Sequence, residues 1–170
     1  MDANSLRGLQ APLKDLYRRE PANALITLKA KGRIGKDVTC KVETGRAIAE
    51  AGLHPATGGD GTTLCSGDML LEALVACAGV TLNAVATALD IRLRDAEIEA
   101  EGDLDFRGTL GVNKEVPVGF RSIRLKFLLD TDAADERIDQ LLKLTERYCV
   151  VFQTLSNKPW LSTSRERVNN

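Results

Sequence analysis

The segment SGDMLLEALVACAGVTLNAVATAL, Ser66 to Leu89, constrains this chain more than any other. Between Met69 and Leu89 only Glu72 can ionise, and an apolar run of about 20 residues is long enough to cross a bilayer. Context argues for a protein core instead. Glu72, Gly79, Thr81, Asn83 and Thr87 interrupt the run, no Trp or Tyr belt brackets it, and the flanking segments read as strands that need sheet partners. No membrane partner is expected. A helix apolar on every side has to be covered on every side, and a 170-residue chain with two good helices does not supply that cover alone. Ala73, Ala76, Ala78 and Gly79 allow a second helix to approach closely. A homodimer is therefore expected. Ser66 reads as the N-cap of this helix, with Asp68 in its first turn.

Around the helix the hydropathy pattern alternates. ALITLKA (24–30) reads as a strand, KGRIGK as a turn through Gly32 and Gly35, and DVTCKVET (37–44) as the second arm of a hairpin. A third short strand is expected near 46–50. The stretch AGLHPATGGDGTTLCSGD, with five glycines and one proline, is a long loop of the kind that carries function. After the helix, strands are expected from Arg92 to about Phe106 and over FRSIRLKFLLD, separated by the loop RGTLGVNKEVPVG. Ile138, Leu141, Leu142, Leu144 and Tyr148 then fall at helical spacing, and a last strand is expected over 160–165. Residues 1–23 read as a loosely docked N-terminal arm and 24–168 as one domain. Hairpin-like strands with segregated helices make the fold class α+β.

The balance of 23 basic and 24 acidic residues, spread along the chain, and an aromatic content of 4% give no footing for a nucleic-acid partner. MDANSLRGLQ lacks a basic stretch followed by an apolar core, so no signal peptide is expected and the location expected is cytoplasmic, where cysteines stay reduced. The cysteines are Cys40, Cys65, Cys77 and Cys149, with a single histidine, His54, and no CxxC pair. His54, Cys65 and Cys149 are the only candidate metal set, and their spacing is not that of a zinc site. Cys40 lies on the apolar face of its strand. Cys65 precedes a helix N-terminus, where backbone amides favour a thiolate, and on the residues alone it rivals any other reactive thiol. Cys77 and Cys149 read from pattern alone as core cysteines.

The succession of glycine-rich loop, SGDMLLEALVACAGVTL, strands and ERYCVV resembles the OsmC/Ohr family of organic-hydroperoxide-handling proteins, on the side of the OsmC-like proteins with a YC motif. The resemblance runs over most of the chain. It implies an intertwined homodimer in which antiparallel sheets wrap long central helices. It also implies thiol peroxidase chemistry on organic hydroperoxides, with Cys77 as the peroxidatic cysteine and Cys149 as the resolving one. Arg33 of the KGRIG segment and Asp68, at the position of a family glutamate, are implied as the groups that tune Cys77. The resemblance implies no resident cofactor and an external dithiol as reductant. Asp68 is one methylene shorter than that glutamate, and Ser66–Gly67 replace the proline usual before it. The alternative expectation is therefore a stress-associated or small-molecule-binding protein of the same fold without efficient peroxidase turnover.

Overall fold

A computed structural model describes residues 49–111 and 113–167 in full, the backbone of 31–34, 39–43 and 48, and positions 2–5, 8, 10, 11 and 19 of the arm. The first sheet holds β1 (Lys31–Ile34), β2 (Thr39–Glu43), β3 (Ile48–Gly52) and β4 (Leu64–Cys65), in that order. β1 and β2 are antiparallel with Arg33 opposite Lys41, β2 and β3 are antiparallel with Cys40 opposite Ala51, and β3 and β4 are parallel with Gly52 opposite Cys65. The long apolar helix α1 (Ser66–Ala88) follows at once. β5 (Leu93–Asp103) and β6 (Ser122–Thr131) form an antiparallel ribbon, with the one-turn helix α2 (Phe106–Thr109) in the connection between them. The helices α3 (Asp135–Tyr148) and α4 (Val150–Ser156) come last, joined at Cys149.

The ribbon shows how the pattern becomes packing. Burial alternates along both strands, as a period of two requires when one face is covered. Ile98 stands opposite Phe127 and Ala100 opposite Leu125, and all four pack against the helices. On the outer face Glu99 stands opposite Lys126, with Oε2 and Nζ 2.9 Å apart, and Glu101 opposite Arg124, with 3.2 Å between Oε2 and Nε. A slip of one residue would move these charges inward, so the register is specified from both faces.

The core lies where α1 meets the ribbon and α3. Leu74, Ala78, Leu82 and Ala86 are the buried residues of α1, one stripe at four-residue spacing. Leu82 and Ala86 join Ile91 and Leu141 in one cluster, while Leu74 and Ala78 join Cys149 in another. Burying a leucine here contributes about 2 kcal/mol. At its end α1 is turned by Asp90, whose φ of +55° is left-handed, and the Ile91 amide returns to the Ala86 carbonyl at 2.9 Å. The opposite face of α1 is open in the single chain: Val80 is 74% exposed, and Ala73 and Ala76 beside it are exposed as well.

Several expectations are corrected. Residues 31–34, read as a glycine turn, are extended and pair with β2, because ladder partners satisfy their backbone and Gly32 is compatible with a strand. The strand expected at 24–30 and the new connection at 35–38 lie outside the described residues. The N-cap of α1 is Cys65 rather than Ser66; pairing of β4 with β3 holds Cys65 extended, at φ −87° and ψ 129°, up to the helix. The loop after β5 contains the turn of α2, capped by Asp105, whose carboxylate accepts from the Arg107 amide. Residues 160–165 form no strand, since no described strand pairs with them; Trp160 is 93% exposed and Leu161 76%.

Leu141 is fully buried between α1 and the ribbon. Leu141→Ala is expected to lower unfolding free energy by about 3 kcal/mol, from lost transfer energy and a residual cavity. Val118→Ala, at a position 62% exposed, should stay within about 0.5 kcal/mol. Urea unfolding of the two variants beside the parent checks both values.

Candidate active site

Two helical rows deliver two sulfurs to one place. On α3, Leu141, Thr145 and Cys149 follow at intervals of four, and all three are buried. On α1, Cys77 immediately precedes the buried Ala78 and is itself half-buried. Cys77 therefore sits on the flank of the buried stripe, against Cys149 and Val151. Both thiols are free.

The helix break at Cys149 equips this place. The Cys149 amide still closes the last turn of α3 on the Thr145 carbonyl at 2.9 Å, but its ψ of 109° is extended, and α4 starts anew at Val150. In an unbroken helix the Val150 and Val151 amides would bond to the carbonyls four residues back. The break frees them, as at any helix start. The Gln153 side chain takes the place of one of the lost donors, its Nε2 donating to the Glu146 carbonyl at 2.9 Å. Cys149 Sγ accepts from the Phe152 amide at 3.5 Å, so the cysteine caps the new helix with its sulfur.

The electrostatics split the pair. Burial is the largest single influence on the Cys77 thiol and pushes its pKa up. It is outweighed by donors to the sulfur: the Val151 amide, the Cys149 thiol, the Val150 amide and the neighbouring Thr81 hydroxyl. The net displacement is below the ordinary thiol value. The one proton of the Thr81 hydroxyl is divided between the sulfur and the Cys77 carbonyl oxygen, 2.8 Å away. For Cys149, burial again comes first and raises the pKa. The Phe152 amide opposes it, and the hydrogen bond and charge of Cys77 raise it further, so the net shift is upward. Of the two, Cys77 is thus the thiol that gives up its proton more readily. Environments that push two neighbouring titrating groups apart in this way distinguish nucleophile from acid.

The remaining expected site residues lie elsewhere. Arg33 is in β1, opposite Lys41; its side chain is outside the described residues. Asp68 precedes Cys77 by nine residues, which on a helix is about 13 Å along the axis and half a turn round it. It lines an open groove with Glu72, Leu71, Val75, Ala76 and Ala100, so Asp68 and Glu72, one helical turn apart, share a face, and one chain does not bring them to the sulfurs. Of Leu64, Met69 and Phe152, apolar residues near these positions in sequence, only Phe152 packs around the cysteines. Cys65 and His54 line a separate cleft with Asp68, where the His54 ring stacks on Phe106 at 5.0 Å. Cys149 is not part of that cleft. Among the described residues no three His, Cys, Asp or Glu side chains gather as a metal-binding group. Sequence reasoning missed Thr81, Gln153 and the amides of Val150 and Val151. The 141–145–149 spacing was the available signal for the placement of Cys149.

The chain was compared with known proteins. No curated protein sequence matches it. Solved structures share the fold. An OsmC like protein from Mycoplasma pneumoniae superposes with a TM-score of 0.66 at 17% identity, over 78% of this chain and 89% of that one. The organic hydroperoxide resistance protein OsmC of Legionella pneumophila gives 0.60 at 19% identity, over 77% and 90%. The organic hydroperoxide resistance protein OhrB of Bacillus subtilis gives 0.53 at 21% identity, over 78% and 93%. The description OsmC-like protein matches residues 59–164, more than half of the sequence and including both Cys77 and Cys149. The chain belongs to the OsmC-like protein family.

Proposed function

We propose that this protein is a thiol peroxidase that reduces organic hydroperoxides, with Cys77 as nucleophile and Cys149 as resolving thiol. The observation that carries the reading is the convergence of these two free cysteines, with the Cys77 pKa lowered and the Cys149 pKa raised. That two of the fold's solved relatives are named organic hydroperoxide resistance proteins supports the substrate class.

The Cys77 thiolate attacks the terminal oxygen of R–O–OH; an S–O bond forms and the O–O bond breaks. The alkoxide leaves as the alcohol with the proton of the adjacent Cys149 thiol. The Cys149 thiolate then attacks the Cys77 sulfenic acid, forming the disulfide and expelling hydroxide, which takes a proton from solvent as water. Two electrons pass from the thiols to the peroxide, and an external dithiol returns them by thiol–disulfide exchange. No resident cofactor takes part. The amides of Val150 and Val151 are the donors that hold the thiolate. Arg33 is the tuning group that the family resemblance leaves to the proposal; Asp68, about 13 Å along α1 from Cys77 and half a turn round it, does not tune the thiol within one chain. The proposed assembly is a cytoplasmic homodimer in which a second copy covers the open face of α1.

One equivalent of cumene hydroperoxide is expected to remove two hydrogens per chain by intact mass, and to leave Cys77→Ser and Cys149→Ser without that loss. Turnover with a dithiol should fall to background in Cys77→Ser. Chains whose thiols stay free under peroxide would belong to the alternative reading, a stress-associated or small-molecule-binding protein of this fold.

Alkylation against pH reads the thiolates one by one. Cys77 should label first, with a midpoint below the ordinary value of about 8.5; its rate falls as pH drops through that midpoint because the thiol regains its proton. Cys149 should label only at higher pH. Cys149→Ala removes an S–H donor and should move the Cys77 midpoint up. Asp68→Asn should leave it in place, since the separation along α1 exceeds the Debye length of about 8 Å at physiological salt.

The dimer is tested by light scattering at low micromolar concentration. Twice the chain mass is expected for the parent, and a shift toward monomer for Val80→Glu, which places a charge on the open face. A parent that is monodisperse as a monomer removes the dimer from the proposal.

A further inference from the structure

The segment ERYCVVF, Glu146 to Phe152, holds neither Gly nor Pro, so the break at Cys149 has to be kept by contacts that a continuous helix does not make. Gln153 supplies one. Its Nε2 donates to the Glu146 carbonyl at 2.9 Å. In a continuous helix that carbonyl would take the Val150 amide, and Gln153 would lie about 10 Å further along the axis. The bond therefore belongs to the broken form alone, and a contact made in one of two conformations shifts the balance toward it by its full strength.

The carboxamide of Gln153 is held the right way round. Asn157 Nδ2 donates to Gln153 Oε1 at 3.1 Å and to the Gln153 carbonyl at 3.1 Å. A backbone carbonyl can only accept. Glu146 at one end and the Gln153 carbonyl at the other thus orient both side-chain amides: Nε2 of Gln153 faces Glu146 and Oε1 faces Asn157. Asn157 is placed for this as the residue that closes α4, its own amide donating to the Gln153 carbonyl at 2.9 Å. What the break releases goes to sulfur. The amides of Val150 and Val151 donate to Cys77, and that of Phe152 to Cys149 Sγ at 3.5 Å.

We propose that Gln153, oriented by Asn157, is a positioning residue for the thiol pair: by occupying the Glu146 carbonyl it keeps the Val150 and Val151 amides from being drawn back into α3 and leaves them to the Cys77 sulfur. Gln153 acts on the thiols through those amides. Its part in peroxide reduction rests on the peroxidase reading above; its hold on the Cys77 thiol does not. Without it, Val150 can return to Glu146, and Cys77 stays buried while its thiolate loses a donor, which favours the protonated form.

The test follows iodoacetamide labelling of Cys77 against pH by mass spectrometry, in the full chain, for the parent, Gln153→Met and Asn157→Ala. Methionine has nearly the length of glutamine and no donor. Gln153→Met is expected to raise the Cys77 midpoint by about one pH unit, the worth of one hydrogen bond. Asn157→Ala, which leaves the carboxamide free to turn, should raise it by about half as much. A thiol of higher pKa is less ionised but more nucleophilic as thiolate. Labelling of Gln153→Met should therefore be about threefold slower than the parent below both midpoints and about threefold faster above them. Altered packing or access alone would change the rate in one direction at every pH. Cys149, the titrating group bonded to Cys77, is the same in all three chains. An unchanged Cys77 midpoint in Gln153→Met overturns the proposal, as does a rate change of one sign at every pH; should that variant not fold, an unchanged midpoint in Asn157→Ala overturns it. Oxidation by cumene hydroperoxide, read as the loss of two hydrogens, should slow in Gln153→Met below both midpoints. A midpoint that moves in Gln153→Met, in a protein whose parent chain ignores the peroxide, would sink the peroxidase reading and leave the role of Gln153 standing.

Discussion

The sulfur pair depends on the meeting of two helical rows of four-residue period. Leu74, Ala78, Leu82 and Ala86 on α1 face Leu141, Thr145 and Cys149 on and just beyond α3. Rows of this period are the ridges by which helices interlock, and Ala78, fully buried, keeps the ridge low where Cys149 lies. One residue added or removed between Leu141 and Cys149 would carry another side chain to this level of α1. Apolar contact thus fixes the position of Cys149, and through it everything polar that happens there.

The polar part follows from the break. A thiolate packed among Ile98, Ala100, Val151 and Phe152 would be disfavoured by desolvation alone. What offsets that penalty is a pair of amides that an unbroken helix would have consumed, with one of the orphaned carbonyls satisfied by Gln153. The same burial, without the same donors, keeps the proton on Cys149. One interruption of the backbone therefore separates the roles of two chemically identical side chains.

Much of this was legible in the sequence, and the gaps have physical reasons. Periodicity placed α3, β5 and β6 because each has one covered face that imposes a period, and the length of its apolar run placed α1. The break at Cys149 left no trace of that kind: ERYCVVF contains neither Gly nor Pro, and its apolar positions continue a helical pattern, so contacts far along the chain decide it. The glycines of KGRIG signalled a turn, yet glycine permits an extended chain as readily, and the partner strand decides. Cys65 replaced Ser66 as N-cap for a similar reason, since the two-residue β4 holds the backbone up to the helix. Family resemblance singled out Cys77 and Cys149; the nine-residue spacing on one helix already sets Asp68 half a turn away from Cys77.

The angular order of residues around α1 ties oligomerisation to chemistry. Relative to Cys77, at 100° per residue, the buried Leu74 and Ala78 lie to one side and the exposed Ala73, Ala76 and Val80 to the other. Cys77 occupies the boundary between them. The second side carries Ala73, Ala76 and Val80, all exposed in the single chain, an apolar surface that water covers poorly. A partner laid on it, as in the proposed dimer, would border the thiol directly, so that the shape of the approach to Cys77 is set by two chains. Covering the apolar face and walling Cys77 are then one packing problem, and a substitution such as Val80→Glu disturbs both.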